Sequence, residues 1–547
     1  MKSKRLTLSV LFVVAAVANA LACTNLIVGK NASADGSTIV SYSADSYGLF
    51  GELYHYPAGM HKKGTLIDIH EWDTGKYLGQ IAQARQTYNV IGNMNEFQLT
   101  IGETTFGGRP ELVDTTGIID YGSLIYLGLQ RSRTAREAIK VMTELVQEYG
   151  YYSGGESFTI ADPNEIWIME MIGKGPGVRG AVWVAVRVPD DCISAHANQS
   201  RIHQFNMNDK ENCMYSPDVI SFAREKGYFD GVNKDFSFAN AYAPLDFGAR
   251  RYCEARVWSY FNMFTDRGNE FLPYILGETN TPMPLFVKPN RKVSVQDVKN
   301  AMRDHYEGTP LDISKDFGAG PYHTPYRLSP LSFKVGDREY FNERPISTQQ
   351  SGFVFVAQMR SELPDPIGGV LWFGTDDANM TVFTPVYCCT DKVPVCYTRV
   401  DGADYITFSW NSAFWIFNWV ANMVYPRYDL MMGDVRATQT ELETTFNEVQ
   451  EGVEAAAAKL LEKDPAKAKA FLTNYTNMTA QSTFDTWKRL GEFLVVKYND
   501  GVVKRMKNGQ FERNSIGQPA GVIRPGYPKE FLEEYVKQTG DRYKMPE

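Results

Sequence analysis

Apolar and polar positions along this chain fall into short blocks whose period changes from two to near four and back. Residues 24–29 (TNLIVG) form an apolar run that reads as a short buried strand, a polar turn follows at 31–36 (NASADG), and a second strand is expected at 37–42 (STIVSY). The pattern therefore predicts a β-hairpin that begins just after residue 23. Further strands are expected at 89–92, 98–101, 157–161, 166–171, 181–188 and 193–197, and later ones at 352–359 and 369–374. Between them, residues 132–148 place Ala138, Val141, Met142 and Leu145 at helical spacing, and 295–305 reads as another helix. From 438 to 496 the composition turns to Glu, Ala and Lys with a break near Asp464-Pro465, which predicts a helical hairpin. Aromatic residues crowd the stretch 408–425, a stripe that reads as core packing or a covered surface. Clustered strands with helices between them predict an α+β fold with a largely antiparallel sheet.

The first 22 residues stand apart from this pattern. Lys2, Lys4 and Arg5 precede an apolar run from Leu6 to Val17, and Ala20-Leu21-Ala22 closes the segment. This is the layout of a secretory signal, with cleavage expected between Ala22 and Cys23. The apolar run is shorter than the roughly 20 residues that cross a bilayer, so an exported protein without a membrane span is expected, in the periplasm or outside the cell. A cysteine directly after a signal is also the acceptor of a bacterial lipid anchor. That signal prefers Leu three places before the cysteine, where this chain has Ala20, with Leu21 one place later.

Composition narrows the function. The 547 residues are 44% hydrophobic and 22% charged with a net charge of −8, which suits a globular protein and gives no electrostatic reason to seek nucleic acid. Oligomeric state is not legible, and a homo-oligomer stays open. Besides Cys23, six cysteines (192, 213, 253, 388, 389 and 396) allow up to three disulfides in an exported chain. The seven histidines show no zinc-ligand spacing, and no CxxC pair or HExxH helix is present. No metal or cofactor is expected.

Cys23 carries the candidate chemistry. Amide hydrolysis needs a nucleophile, a base, donors for the oxyanion and a proton for the leaving amine. An amino-terminal cysteine supplies its thiol and, in its own α-amine with a reference pKa of about 7.7 to 8.0, both base and acid. Before cleavage that nitrogen is an amide and cannot act, so export would double as activation.

The motifs that follow Cys23 carry a resemblance. CTNLIVGK at 23–30 with ADGST at 34–38, GNMNE at 92–96 with IGETT at 101–105, GESF at 155–158, IADP at 160–163, RVPDD at 187–191, HANQSRI at 196–202, RDHYEGTP at 303–310 and GGVLWF at 368–373 together resemble the cysteine dipeptidases of the dipeptidase A type, which include the secernins. Penicillin V acylase and bile salt hydrolase are more distant relatives. The resemblance, carried by motifs over about residues 23–390, implies the four-layer αββα fold of N-terminal-nucleophile hydrolases and hydrolysis of short peptides without a cofactor. The catalytic domain is expected over 23–430, and the Glu-, Ala- and Lys-rich composition beyond it predicts an appended helical region at 431–547. It implies Cys23 as nucleophile, Asp45, 22 places on, as the carboxylate that orients the free amine, and Asn198 as an oxyanion donor. It sets the strand end Glu103-Thr104-Thr105 at a second oxyanion or substrate contact, Thr104 and Thr105 being the candidate substrate-binding residues, and it roughly matches Arg251 to an active-site arginine of the acylases, with Arg256 near enough to compete. Relatives commonly carry an arginine shortly before the aspartate, and residues 41–44 (SYSA) hold none. Hydrolysis of an N-acyl amide, and a non-catalytic lipoprotein lipidated on Cys23, are the alternatives.

Overall fold

The computed structural model describes residues 23–328 and 331–547; the expected signal segment, 1–22, lies outside the described residues. Two antiparallel sheets form the body. Their strands are β1 (Asn25–Val28), β2 (Thr38–Asp45), β3 (His55–Tyr56), β4 (Val90–Ile91), β5 (Met94–Asn95), β6 (Thr100–Gly107), β7 (Gly155–Ala161), β8 (Ile166–Gly173), β9 (Ala181–Arg187), β10 (Ile193–His196), β11 (Cys213–Tyr215), β12 (Ser351–Met359), β13 (Val370–Thr375) and β14 (Thr384–Tyr387). One sheet has the order β10-β1-β2-β12-β13-β14, and the other β11-β9-β8-β7-β6-β5-β4-β3. The fold is α+β, as the clustering of strands predicts.

The opening hairpin forms as expected, with Ile27 opposite Val40 and Val28 opposite Ile39. Its connecting turn is stabilised locally. The Asp35 carboxylate accepts from the Ser37 amide at 3.1 Å and from its hydroxyl at 2.5 Å, and Gly36 takes a positive φ of 80° that a side chain would resist. Every residue of β2 is buried, because β2 is central in its sheet and faces β6 and β7 of the other. That position explains a strand of small and β-branched residues rather than an alternating one.

Helices cover both outer faces. On the eight-stranded sheet lie α1 (Tyr121–Arg131), against β6, and α2 (Ala135–Tyr149), against β7, β8 and β9. The α2 side chains Ala138, Met142 and Leu145 are buried as the helical spacing predicts, joined by Ile139 and Val146, while Val141 is half-buried. On the six-stranded sheet α3 (Ala255–Phe264) packs on β10, α4 (Val295–Ala301) on β12, α5 (Ala413–Val424) on β13, and the hairpin of α6 (Tyr428–Leu461) and α7 (Pro465–Tyr498) on β14. One apolar core runs between the sheets and out under α3 to α7, and a second lies between the eight-stranded sheet and α1–α2.

Three expectations change in detail. The helix expected at 295–305 stops at Ala301: Arg303 turns to the carbonyls of Ala378 and Thr381 and to Glu443, and Tyr306 takes a φ of +66°. The hairpin breaks where Asp464-Pro465 predicts, Asp464 accepting from the amides of Ala466 and Lys467, but its arms are longer than 438–496. It shares the sheet core through Trp487, Leu490 and Leu494, with Phe417 of α5 stacked on Trp487 at 4.8 Å. Beyond Tyr498 the chain is not wholly helical. Val503–Lys504 pairs with Val522–Ile523 and Met506–Lys507 with Gln510–Phe511 before a short helix, Lys529–Thr539. All seven cysteines are free thiols, so none of the allowed disulfides is formed. Among the described residues no helix is long and apolar enough to cross a membrane, and no three His, Cys, Asp or Glu side chains gather as a metal-holding group.

Candidate active site

Strand register assembles the site. Asn25 pairs with His196 in the β1–β10 ladder, and the same antiparallel register carried two residues outward sets Cys23 against Asn198. On its other side β1 pairs with β2, and the Thr24–Ser43 bridge that extends this ladder sets Cys23 beside the Ala44–Asp45 end of β2. Two β-ladders thus converge on one thiol from opposite sides. Asn198 leaves the strand with a φ of +64°, a left-handed conformation that Asn tolerates better than most residues.

The buried Arg256 of α3 fastens this junction. Its guanidinium donates to the Cys23 carbonyl (2.6 Å), Thr24 Oγ1 (2.8 Å), the Ala197 carbonyl (3.0 Å) and Asn198 Oδ1 (2.9 Å). Asn198 Nδ2 in turn donates to the Thr105 carbonyl at 2.8 Å, so the carboxamide is held between the two sheets. The loop after it is tied down by Glu170, which accepts from the amides of Arg201 (2.5 Å) and Ile202 (3.1 Å).

Asp45 is buried and accepts from Arg344 Nη2 (2.6 Å), Ser351 Oγ (2.6 Å) and Ser43 Oγ (3.0 Å). Burial pushes its carboxyl above the ordinary value, and Arg344, Ser351 and Arg256 pull against that shift. Residues 41–44 lack an arginine, and the one that pairs with Asp45 is Arg344, from a segment 299 residues away. Arg251 is placed differently. It forms an ion pair with Glu343, the neighbour of Arg344, and its guanidinium lies 5.1 Å from the Phe341 ring centre. Of the two arginines weighed on this helix, Arg256 touches Cys23 and Asn198, and Arg251 braces the segment that delivers Arg344 to Asp45.

The thiol itself is buried. Burial, followed by the charges of Glu103 and Asp45, pushes it well above its ordinary value, against the Asp45 backbone N–H and the Tyr42 hydroxyl. The thiol consequently stays protonated near neutral pH in the full-length chain and needs a base. The one histidine beside the site, His196, cannot serve: burial brings it down to about 3, and its ring bonds Thr104 Oγ1 at 2.7 Å and Thr159 Oγ1 at 2.6 Å. Thr104 is thus committed to joining the sheets. Thr105 offers its carbonyl to Asn198 and its hydroxyl to Glu156 at 2.7 Å. Gly102, on the same strand, lets the sheets approach closely, since a Cβ there would lie 2.5 Å from Asn25 Oδ1.

Tyr42 escaped assignment in the sequence, and Glu103 entered only as part of the Glu103-Thr104-Thr105 strand end. The Tyr42 hydroxyl lies 3.7 Å from Cys23 Sγ and donates to Glu103 Oε1 at 2.6 Å. Burial raises Glu103 to about 7, and its carboxyl meets that of Glu156, which is also pushed upward. The IGETT motif signals the strand; nothing in it announces that its glutamate meets another 53 residues on.

Comparison with known proteins identifies the family of the chain. The model of peptidase family C69 matches residues 22–55 and 50–441. A probable dipeptidase of Salmonella dublin is 30% identical over 395 residues, covering 67% of this chain and 81% of that protein. A probable dipeptidase of Latilactobacillus sakei is 26% identical over 83% of this chain and 90% of its own length, and dipeptidase A of Lactobacillus helveticus 24% identical over 72% and 80%. The chain belongs to peptidase family C69, the cysteine dipeptidase family that its amino-terminal motifs resemble.

Proposed function

We propose that this chain is an exported dipeptidase with the four-layer fold of N-terminal-nucleophile hydrolases, and that Cys23, freed by removal of residues 1–22, is its nucleophile. Residues 23–430 are the catalytic unit and 431–547 the appended region that braces its outer face. The observation that carries this reading is the double register that sets one thiol beside Asp45 and Asn198 at once. The raised thiol and the neutral His196 support it, because they leave the activation of sulfur to a base other than histidine, and processing supplies one in the α-amine.

In the processed chain the α-amine of Cys23 takes the thiol proton while sulfur attacks the peptide carbonyl carbon. Asp45 stabilises the ammonium so formed, and Asn198 donates to the oxyanion. Collapse breaks the C–N bond, the ammonium returns its proton to the leaving amine, and a thioester remains on Cys23. Water, deprotonated by the same amine, then attacks the thioester and releases the acid. Arg256, Thr105 and, through Glu343 and Arg344, Arg251 are positioning residues here, and Thr104 acts by holding His196.

The test is the processed protein on a panel of dipeptides beside Cys23→Ala, Cys23→Ser and a form carrying one extra residue before Cys23. Turnover falls by roughly a thousandfold or more in the Ala and extended forms, with far-UV and thermal profiles unchanged. Full activity of Cys23→Ala would remove the nucleophile from the mechanism; an active extended form would show that the free amine is dispensable.

A further inference from the structure

We propose that Glu103 and Glu156, with Asp73 beside them, bind the free α-ammonium of the substrate's first residue, so that this site selects peptides with an unblocked amino terminus and cuts after that residue. The inference rests on Cys23 being the nucleophile.

Three observations carry it. Glu103 and Glu156 are both buried with their carboxyls in contact, and the groups set against Glu103 are Tyr42, Glu156, Cys23 and Asp73, none of them cationic. A buried carboxyl pair holds one proton between its members because both cannot ionise side by side. Second, apart from the proton they share, no donor among the described residues reaches Glu103 Oε2 or Glu156 Oε2 with hydrogen-bonding geometry, and buried acceptors without donors are rare. A bound ammonium supplies three N–H donors and a positive charge, and the shared proton leaves to solvent as it binds.

Third, a small space adjoins the tyrosines whose hydroxyls hold Glu103 and Asp73, although the carboxyls themselves do not line it. Tyr42 and Tyr121, together with Tyr54, Tyr126 and Trp72, line a cleft of about 30 Å³. The Tyr42 hydroxyl holds Glu103, and the Tyr121 hydroxyl donates to Asp73 Oδ1 at 3.0 Å. That space suits a group the size of water or ammonium rather than a side chain, and tyrosine rings around it favour a cation. The spacing fixes which ammonium fits. The Tyr42 hydroxyl lies 2.6 Å from Glu103 Oε1 and 3.7 Å from Cys23 Sγ, and the Glu103 carboxyl is itself set against the thiol. An α-nitrogen lies roughly 2.5 Å from the carbonyl carbon of its own residue, so a first residue spans the gap. A longer amino-terminal extension of the substrate would have nowhere to place its own ammonium.

The experiment compares a dipeptide, its N-acetyl form and its des-amino analogue. On Cys23→Ala, calorimetry reads binding without turnover, so the result stands whether or not Cys23 proves to be the nucleophile. The free dipeptide binds at least tenfold tighter than either analogue; equal binding of all three would overturn the proposal. Glu103→Gln and Glu156→Gln, in the processed enzyme, raise KM for the free dipeptide at least tenfold while kcat/KM for the N-acetyl form holds or rises. Loss of the same size on both substrates would assign the pair to Cys23 or to folding and would also overturn it. Should either variant not fold, the analogue series on Cys23→Ala decides alone. Failure of the Cys23 reading shows separately, as dipeptide turnover that survives Cys23→Ala.

Discussion

Replacing Arg344 with Met tests the electrostatic frame of the site. Arg344 and Asp45 are both buried, and Nη2 lies 2.6 Å from Oδ2. At an effective dielectric near 20 a pair at that distance attracts by roughly 6 kcal/mol before desolvation is counted. Methionine fills much of the same space and leaves Asp45 with Ser351, Ser43 and the more distant Arg256. An uncompensated buried carboxylate costs about 3–5 kcal/mol. The cost should depend on pH in a definite sense. A carboxyl whose folded pKa is raised binds more protons in the native than in the unfolded state, so it lowers stability as pH rises through the folded value. Burial already raises Asp45; without Arg344 it rises further. Urea unfolding at pH 7.5 and pH 5 should therefore show a deficit of about 3 kcal/mol or more that shrinks on acidification. Arg344→Met combined with Asp45→Asn, which removes both charges, should recover most of the stability without recovering turnover. A deficit under about 1 kcal/mol at pH 7.5, or one that grows toward pH 5, would refute the reasoning.

Arg256→Met should abolish measurable dipeptide turnover, because three of its contacts fix Cys23, Thr24 and Asn198, whereas Arg251→Met should lower kcat/KM by roughly tenfold and be partly rescued by Lys. Equal losses in a side-by-side kinetic assay would mean that Arg251 reaches the reacting atoms. Thiol titration of the unreduced, denatured protein should return seven thiols per chain, the number free in the structure. A count of one would show that the other six are paired.

What the sequence made legible divides by distance along the chain. The opening hairpin, the α2 face and the break at Asp464-Pro465 follow from neighbours a few residues apart, and periodicity or turn chemistry reports them directly. Cys23, Asp45 and Asn198 were named by the family resemblance, and strand pairing at or just beyond the ends of β1, β2 and β10 brings them together. Arg344 had no such marker. It follows an exposed hairpin, Ser332–Val335 with Arg338–Phe341, in a stretch with no apolar period to place it, and only the folded chain brings it to Asp45. The arginine absent from residues 41–44 bears on substrate preference, whereas Arg344 answers a different need, the charge of Asp45. A buried carboxylate requires a compensating charge in space, not a particular position in the chain. The same holds for Glu103 and Glu156, which pattern reading treats as residues of two separate strands. Pairing of β6 with β7 sets their backbones close, Glu103 opposite Phe158 and Glu156 opposite Thr105. The like-charged pair that results is a liability to folding, as buried carboxyls without cations are, and it is sustained where a ligand completes it.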